Sequence, residues 1–132
     1  MELGSETFAD VDGAKAAALA IVDAAGEAGV AEVSARLLLV EVLITGEWTN
    51  EARTELEALA VLKSAQTPEL IGRIGLATAR MHQRAGDLDA AQAAVETALQ
   101  AVGTDSPRAR TQLIIMGAQL RAQRAAQSQQ SP

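Results

Sequence analysis

The sequence predicts an all-α protein of about six helices arranged in antiparallel hairpins. The 132-residue chain is rich in alanine, a strong helix former, and contains no tyrosine. Apolar and small residues recur at intervals of three and four along most of its length, which is the period of a helix buried on one side. Glycines, or a serine or threonine before proline, separate these segments, as is typical of helix ends.

The clearest pattern lies between Ile74 and Val102 and predicts a complete helical hairpin. The apolar and small residues of its two arms are Ile74, Ala77, Thr78, Met81 and Ala85, then Leu88, Ala91, Val95, Ala98, Leu99 and Val102. Between the arms, Gly86 favours the left-handed conformation that ends a helix, and Asp87 favours capping of the next helix through its side-chain oxygen. Alanines dominate the contact line, so we expect the two helix axes to approach closely.

The same signals place the other helices and the domain limits. We predict helices from Asp10 or Asp12 to Ala25, from Ala31 to Thr45, from Asn50 to Lys63, from Thr67-Pro68 into the first arm of the hairpin, and from Ser106-Pro107 to about Ala126. The second of these is apolar on most sides, which indicates a helix flanked by others. Residues 1–9 are expected to be a flexible leader, residues 10–126 a single domain, and residues 127–132 a flexible tail.

The hairpin resembles the tetratricopeptide repeat. In that family the first helix carries a small residue, matched here by Ala79, and the following turn is matched by Gly86-Asp87-Leu88. The second helix of the family carries alanine, a bulky residue and alanine, matched by Ala91, Val95 and Ala98. The resemblance implies a right-handed superhelix of hairpins, whose concave groove binds a protein or peptide. A closed helical bundle without a groove is the alternative architecture.

The chain also departs from that family. Gly75, His82 and Gly103 stand where the family has tryptophan, tyrosine and proline. We therefore expect His82 to have a structural role between helices. Gly46-Glu47-Trp48 repeats the turn pattern of the hairpin, and we expect Trp48 to pack at this turn. An exposed anchor for a partner is the alternative role for Trp48, since tryptophan is enriched in interface hot spots.

The charge pattern excludes one class of function and suggests another. The net charge of −6 argues against nucleic-acid binding, which needs clustered lysine and arginine. Residues 1–57 carry 3 basic and 12 acidic side chains, net −9, whereas residues 58–132 carry 8 basic and 5 acidic side chains, net +3. Opposite charges at the two ends favour head-to-tail self-association. Simple solvation of both ends is the alternative.

Catalytic and membrane functions have no support in the sequence. Cysteine is absent and there is one histidine, so disulfides, a thiolate metal site and a histidine-based metal cluster or triad are excluded. Gly72 and Gly75 lie in a helical pattern and are better explained by close packing than by a phosphate loop. No segment resembles a transmembrane helix or a secretory signal. We predict a cytoplasmic protein that is no enzyme and has no cofactor, metal or membrane contact.

The strongest functional signal comes from arginines. Arg73, Arg80 and Arg84 are separated by seven and four residues, which places them within about 40° of one another on a helix face. By the family resemblance, Arg36 and Arg121 hold matching positions on other helices, so the five arginines are expected to line one groove. Guanidinium groups pair with carboxylates, so the implied ligand is an acidic segment or a C-terminal carboxylate. An ordinary solvated helix face is the alternative.

The sequence leaves two functional hypotheses. The first is a non-catalytic adaptor or scaffold that binds an acidic protein segment in the arginine-lined groove, where Leu43 and Ile44 add apolar contact. The second is a self-associating structural or regulatory module of a larger protein, forming homo-oligomers. The charge asymmetry and the apolar helix around residues 37–44 motivate the second hypothesis.

Overall fold

The computed structural model describes residues 3–26, 29–62 and 65–130. Within those ranges the chain forms six α-helices and no β-strand. The helices are α1 (Leu3–Ala25), α2 (Val30–Thr45), α3 (Thr49–Ala60), α4 (Pro68–Arg84), α5 (Leu88–Val102) and α6 (Pro107–Gln130). The predicted all-α class with about six helices is confirmed.

The outer ends of the first and last helices differ most from the predicted bounds. α1 begins at Leu3 rather than near Asp10, and α6 continues to Gln130 rather than ending near Ala126. Neither extension contains proline, so no residue there forces the helix to end earlier. Flexibility of the leader and tail stays a prediction. Outside the described residues lie the predicted helix end at Lys63, residues 1–2 of the leader, residues 27–28 of the first loop and residues 131–132 of the tail.

The predicted helix starts in the second half of the chain are confirmed by their caps. The side-chain oxygens of Thr67, Asp87 and Ser106 each accept a hydrogen bond from the backbone N–H three residues on, at 3.3, 3.0 and 3.4 Å. Each bond satisfies one of the N–H groups that a helix start leaves without an intrahelical partner. Gly86 has φ +84°, the left-handed conformation expected at the end of α4.

The chain divides into two compact units, residues 1–65 and residues 66–132. In the first unit, α2 packs against both α1 and α3. Most of its apolar side chains are buried, as expected for a helix flanked by others: Val33, Ala35, Leu37, Leu39, Val40, Leu43 and Ile44. Leu38 differs, because 41% of its surface is exposed. Leu38 is thus left partly uncovered by the two neighbouring helices, on a side of α2 that also carries Ser34, Glu41 and Thr45.

The turn between α2 and α3 has the predicted position but differs in conformation from the turn between α4 and α5. The positive φ belongs to Glu47 (64°), whereas Gly46 has φ −85°. Glycine is required at position 46 because a Cβ there would overlap the Trp48 ring and lie 2.8 Å from Val11 Cγ1. The Lys15 ammonium lies 4.3 Å from the centroid of the same ring. Trp48 is half-buried and packs at the turn, as predicted.

The second unit contains α4, α5 and α6, and each packs against the other two. Gly75 lies against Ala98, and Gly72 against Ala109, so closely that a Cβ on either glycine would overlap the alanine methyl group. The Cβ position of Gly72 also lies 3.5 Å from Val102. Gly75 lies against Ala98, and Gly72, which is earlier in α4, lies near Val102, which is later in α5. The two helices therefore form the predicted antiparallel hairpin. The prediction that both glycines serve close packing is confirmed.

The last helix runs parallel to α4. The contact of Gly72 with Ala109 is followed, farther along both helices, by a 2.9 Å hydrogen bond from Gln83 Nε2 to Gln123 Oε1. The buried side of α6 consists of Ala109, Leu113, Met116 and Leu120, which join α4 and α5 in one core cluster. An up-down-up order is common to three-helix bundles and to helical repeats, so the tetratricopeptide-like superhelix stays a prediction.

We expect the overlap of the new methyl group in Gly75→Ala with the Ala98 methyl to cost about 1–3 kcal/mol. Because alanine gains about 1 kcal/mol over glycine inside a helix, the free energy of unfolding should fall by up to about 2 kcal/mol. Urea denaturation followed by circular dichroism measures the difference. Gly13→Ala in α1 is the matched control, since a Cβ at Gly13 meets no described atom within 4 Å.

The control variant should be at least as stable as the wild type. The double variant Gly75→Ala/Ala98→Gly should recover part of the lost stability, because it moves the methyl group to the other helix. Equal stabilisation by Gly75→Ala and Gly13→Ala would show that α4 and α5 are not in close contact at this point.

Candidate functional site: the arginine strip of α4

Arg73, Arg80 and Arg84 lie on one side of α4, and all three are exposed. Steps of seven and four residues place them within about 40° of one another around the helix axis. We call these three residues the arginine strip. Along the axis, Arg73 is about 10 Å from Arg80, and Arg80 is about 6 Å from Arg84, at 1.5 Å per residue. The strip therefore presents three positive charges over about 16 Å.

The packing of α4 on both sides of the strip fixes the rotation of the helix and keeps the strip toward solvent. Leu70, Ala77 and Met81 are buried on one flank, and Gly72 and Ala79 on the other. At 100° per residue, the strip falls in the gap between these two groups. Rotation of α4 about its axis would break the packing of one flank. The orientation of the arginines is thus fixed by the core.

A shallow cleft of about 180 Å³ lies at the Arg73 end of the strip, between α4 and α6. Its polar lining includes Glu69, Arg73, Arg108 and Gln112. Arg108 was not predicted as a site residue. Its place in the first turn of α6 is evident from sequence, but only the parallel packing of α6 on α4 brings it to Arg73. The cleft combines two positive charges with one negative charge, so Glu69 partly offsets its attraction for an anion.

Arg121 lies elsewhere in the second unit. It lines a groove of about 220 Å³ between α5 and α6, together with Glu96, Leu99 and Ile114. Its Nη1 is 3.5 Å from the position that a Cβ on Gly117 would occupy, so the guanidinium lies over this glycine. The structure therefore places Arg121 on the α5 side of α6, whereas Arg73 borders the α4 side. These two predicted site residues do not line the same groove.

The neighbouring Arg124 has partners within the unit. Its Nη1 lies 2.6 Å from Asp89 Oδ1 and donates a hydrogen bond to Gln92 Oε1 at 3.2 Å. Both partners belong to the first half of α5. This exposed ion pair joins the end of α6 to α5 and contributes little to stability because water and salt screen it.

Arg36, in the first unit, is an intramolecular ion-pair residue. Its Nη1 donates to Glu55 Oε2 of α3 at 2.9 Å, and its Nε donates to Glu32 Oε2 one turn earlier in α2 at 3.2 Å. Only 27% of the Arg36 side chain is exposed, against 11% for Glu32 and 23% for Glu55. Arg36 thus links α2 to α3, and its guanidinium is already bound to two carboxylates.

Burial and the two neighbouring carboxylates shift the pKa of Arg36 in opposite directions. Partial burial lowers the pKa of the guanidinium, while the hydrogen bonds and charges of Glu55 and Glu32 raise it. The two carboxylates outweigh the loss of water, so the pKa of Arg36 is raised. The residue stays positively charged in the fold, and its charge is compensated locally.

The expected apolar contribution of Leu43 and Ile44 to a ligand groove was wrong. Leu43 is 1% exposed and Ile44 is 4% exposed, so both belong to the core of the first unit. The sequence did not show whether Leu43 and Ile44 are exposed, and the packing of α2 against two helices buries both. His82 is half-buried in the last turn of α4, on the side of the helix away from the strip, because it lies about 160° around the axis from Arg84.

Among the described residues, no group of three or more histidine, cysteine, aspartate or glutamate side chains is placed to hold a metal ion. In the same part of the chain, no helix combines the length and the hydrophobicity that crossing a membrane requires. Comparison with known proteins identifies no family, since no family model, curated protein or solved structure matches this chain. The functional argument therefore depends on the geometry of the residues themselves.

We expect Arg36→Met to lower the free energy of unfolding by about 1–3 kcal/mol, because it leaves Glu32 and Glu55 close together without a counter-charge. Arg53→Met is the matched control. It removes an exposed arginine from α3 of the same unit and should change stability by less than about 0.5 kcal/mol.

A double-mutant cycle separates the ion pair from other effects of the Arg36 substitution. Glu55→Gln should be less destabilising in the Arg36→Met background than in the wild type, as measured by urea denaturation. Equal losses for Arg36→Met and Arg53→Met would mean that the ion pair does not hold α2 and α3 together.

Proposed function

We propose that this chain is a non-catalytic protein-interaction module, a tetratricopeptide-like adaptor or scaffold of the cytoplasm, which binds an acidic segment of a partner. The observation that carries the proposal is the exposed arginine strip, held outward by the buried flanks of α4. Rigid presentation matters because the backbone of a packed helix is already ordered, so the entropy cost of binding falls on the arginine side chains alone.

Arginine is well suited to this role. Its planar guanidinium binds a carboxylate through two parallel hydrogen bonds and is more weakly hydrated than the lysine ammonium, so the exchange of water for a carboxylate costs less. The second unit is also favourable overall, with 7 basic and 5 acidic residues in positions 66–132. An acidic ligand meets a net positive surface here, although the whole chain has a net charge of −6.

The spacing of the strip defines the ligand more closely. Steps of about 6 and 10 Å match acidic side chains at four- and seven-residue intervals on a partner helix. In an extended segment, which rises about 3.4 Å per residue, side chains on one face are about 7 Å apart, so the 6 Å step is matched and the 10 Å step is not. A ligand with at least three suitably spaced carboxylates would contact the whole strip.

A C-terminal carboxylate is a weaker candidate ligand than an acidic segment. The cleft that would receive it at the Arg73 end also contains Glu69, whose negative charge repels the anion. A segment that extends along the strip from Arg80 is farther from Glu69. Arg73 and Arg80 are exposed, so we expect a moderate affinity that decreases strongly between low and high salt.

The proposal is tested with a fluorescently labelled glutamate-rich peptide and fluorescence anisotropy at two salt concentrations. We expect Arg73→Glu/Arg80→Glu to weaken binding by about 10- to 100-fold, because each reversal replaces an attraction by a repulsion. The matched control is Arg53→Glu/Arg110→Glu, which changes the net charge equally at two exposed arginines outside the strip. The control should bind within a few-fold of the wild type.

Both variants must retain the circular dichroism spectrum and melting temperature of the wild type. Equal weakening by the two double variants would reduce the interaction to net charge and remove the strip as a specific site. Binding that is unchanged in Arg73→Glu/Arg80→Glu would refute the proposal. An amidated form of the same peptide tests the terminal carboxylate, and we expect it to bind as well as the free acid.

A further inference from the structure

The outer face of α6 is apolar and has no partner among the described residues. The buried side of the helix, which includes Leu113 and Leu120, packs on α4 and α5. On the outward side, Ile114, at the edge of the groove between α5 and α6, is 48% exposed, and Ile115 is 52% exposed. The exposed Ala118 and Ala122 continue this face one and two turns farther along the helix. The two isoleucines and the two alanines form a continuous apolar surface, which distinguishes this side of α6 from isolated exposed apolar residues.

The charge of α6 has a single sign. Its sequence, PRARTQLIIMGAQLRAQRAAQSQQ, contains four arginines and no aspartate or glutamate. Arg108 and Arg121 lie on either flank of the apolar face, at 100° per residue. The exposed side of α6 is therefore a basic amphipathic surface, which calls for an apolar partner with a negative rim.

The first unit contains a surface of that description. An apolar groove of about 250 Å³ lies between α1 and α2. Its lining consists of Val11, Ala14, Leu38, Glu41, Val42 and Thr45. Leu38 is 41% exposed, and Ile21, which is 46% exposed, lies two turns beyond Ala14 on the same side of α1. The apolar strip thus continues past the groove.

The charges of the two surfaces are complementary. Residues 1–65 carry 4 basic and 12 acidic side chains, net −8, whereas residues 66–132 carry 7 basic and 5 acidic side chains, net +2. Glu41 lies at the groove itself. An arginine-flanked helix is attracted to this unit, and a helix with acidic flanks is repelled from it.

We propose that the groove between α1 and α2 binds the outer face of α6 from a second copy of this chain. The isoleucines of one copy cover Leu38 of the other, and Arg108 and Arg121 at the flanks of α6 lie against the acidic first unit. The two surfaces are different, so one contact leaves one donor surface and one acceptor surface unused. A second contact then forms either with a further copy, head to tail, or reciprocally within the same pair, and the assembled fraction rises with concentration. This contact involves no residue of the arginine strip and is independent of acidic-peptide binding.

The experiment uses one variant for each surface and analytical ultracentrifugation of the whole chain. Ile114→Glu/Ile115→Glu removes the donor surface, and Leu38→Lys removes the acceptor surface. We expect the weight-average mass of the wild type to rise above the 13.7 kDa monomer with concentration at low salt, and to fall at high salt. Each variant alone should remain monomeric.

An equimolar mixture of the two variants provides the decisive measurement. Each still has one intact surface, so the mixture should form one contact and approach twice the 13.7 kDa monomer mass, without larger species. Leu19→Lys is the control for the acceptor, because Leu19 is 45% exposed on the other flank of α1. This control should assemble like the wild type.

Three results would overturn the proposal. The first is a wild type that stays monomeric at every concentration and at both salt concentrations. The second is a mixture of the two variants that stays monomeric although the wild type assembles, which indicates a symmetric contact. The third is a monomeric wild type that sediments with vesicles containing phosphatidylserine and loses this binding in Ile114→Glu/Ile115→Glu, which indicates a lipid surface as the partner of α6.

Discussion

The second unit depends on the close approach of α4 to its two neighbours. At Gly72 and Gly75 the backbone of α4 lies against the methyl groups of Ala109 and Ala98, with no room for a side chain. Small residues on both sides allow the helices to approach, and many weak dispersion contacts then form along the interface. This packing holds one flank of α4 and thereby fixes the rotation of the helix. The outward direction of the arginine strip follows from it.

The arginine side chains of this protein differ in how far the fold buries them. Arg36 is half-buried, and its charge is compensated by Glu32 and Glu55, as a desolvated charge requires. Arg73 and Arg80 are exposed, so a carboxylate from another molecule replaces only water around them. The first arrangement joins helices within the fold, whereas the second leaves a positive charge available to a ligand.

The two proposed contacts rest on different physical terms. The arginine strip presents charge with little apolar area, so it favours a reversible, salt-sensitive interaction with an acidic segment. The outer face of α6 presents apolar area with charge at its flanks. Burial of apolar area supplies most of the free energy of association, and charge selects the partner and the orientation. Because the surfaces lie on different helices, the two proposals are compatible.

Much of the helical structure was predictable from sequence, and much of the site was not. Thr67, Asp87 and Ser106 were recognisable as helix caps because the hydrogen bond of a cap spans only three residues. The position of Arg121 was not predictable in the same way. Side chains follow one another at about 100° around a helix, so the groove that Arg121 lines depends on where the neighbouring helices pack. Arg108 was missed for the same reason.

The sequence by itself determined the helices, their caps and the common face of Arg73, Arg80 and Arg84, since all of these depend on residues close together in the chain. Only the tertiary structure decided which arginines are available to a ligand. It paired Arg36 with a carboxylate nineteen residues away, and it placed Arg121 on the opposite flank of α6 from the strip. Contacts between distant residues depend on helix packing, and helical periodicity within one segment does not specify that packing.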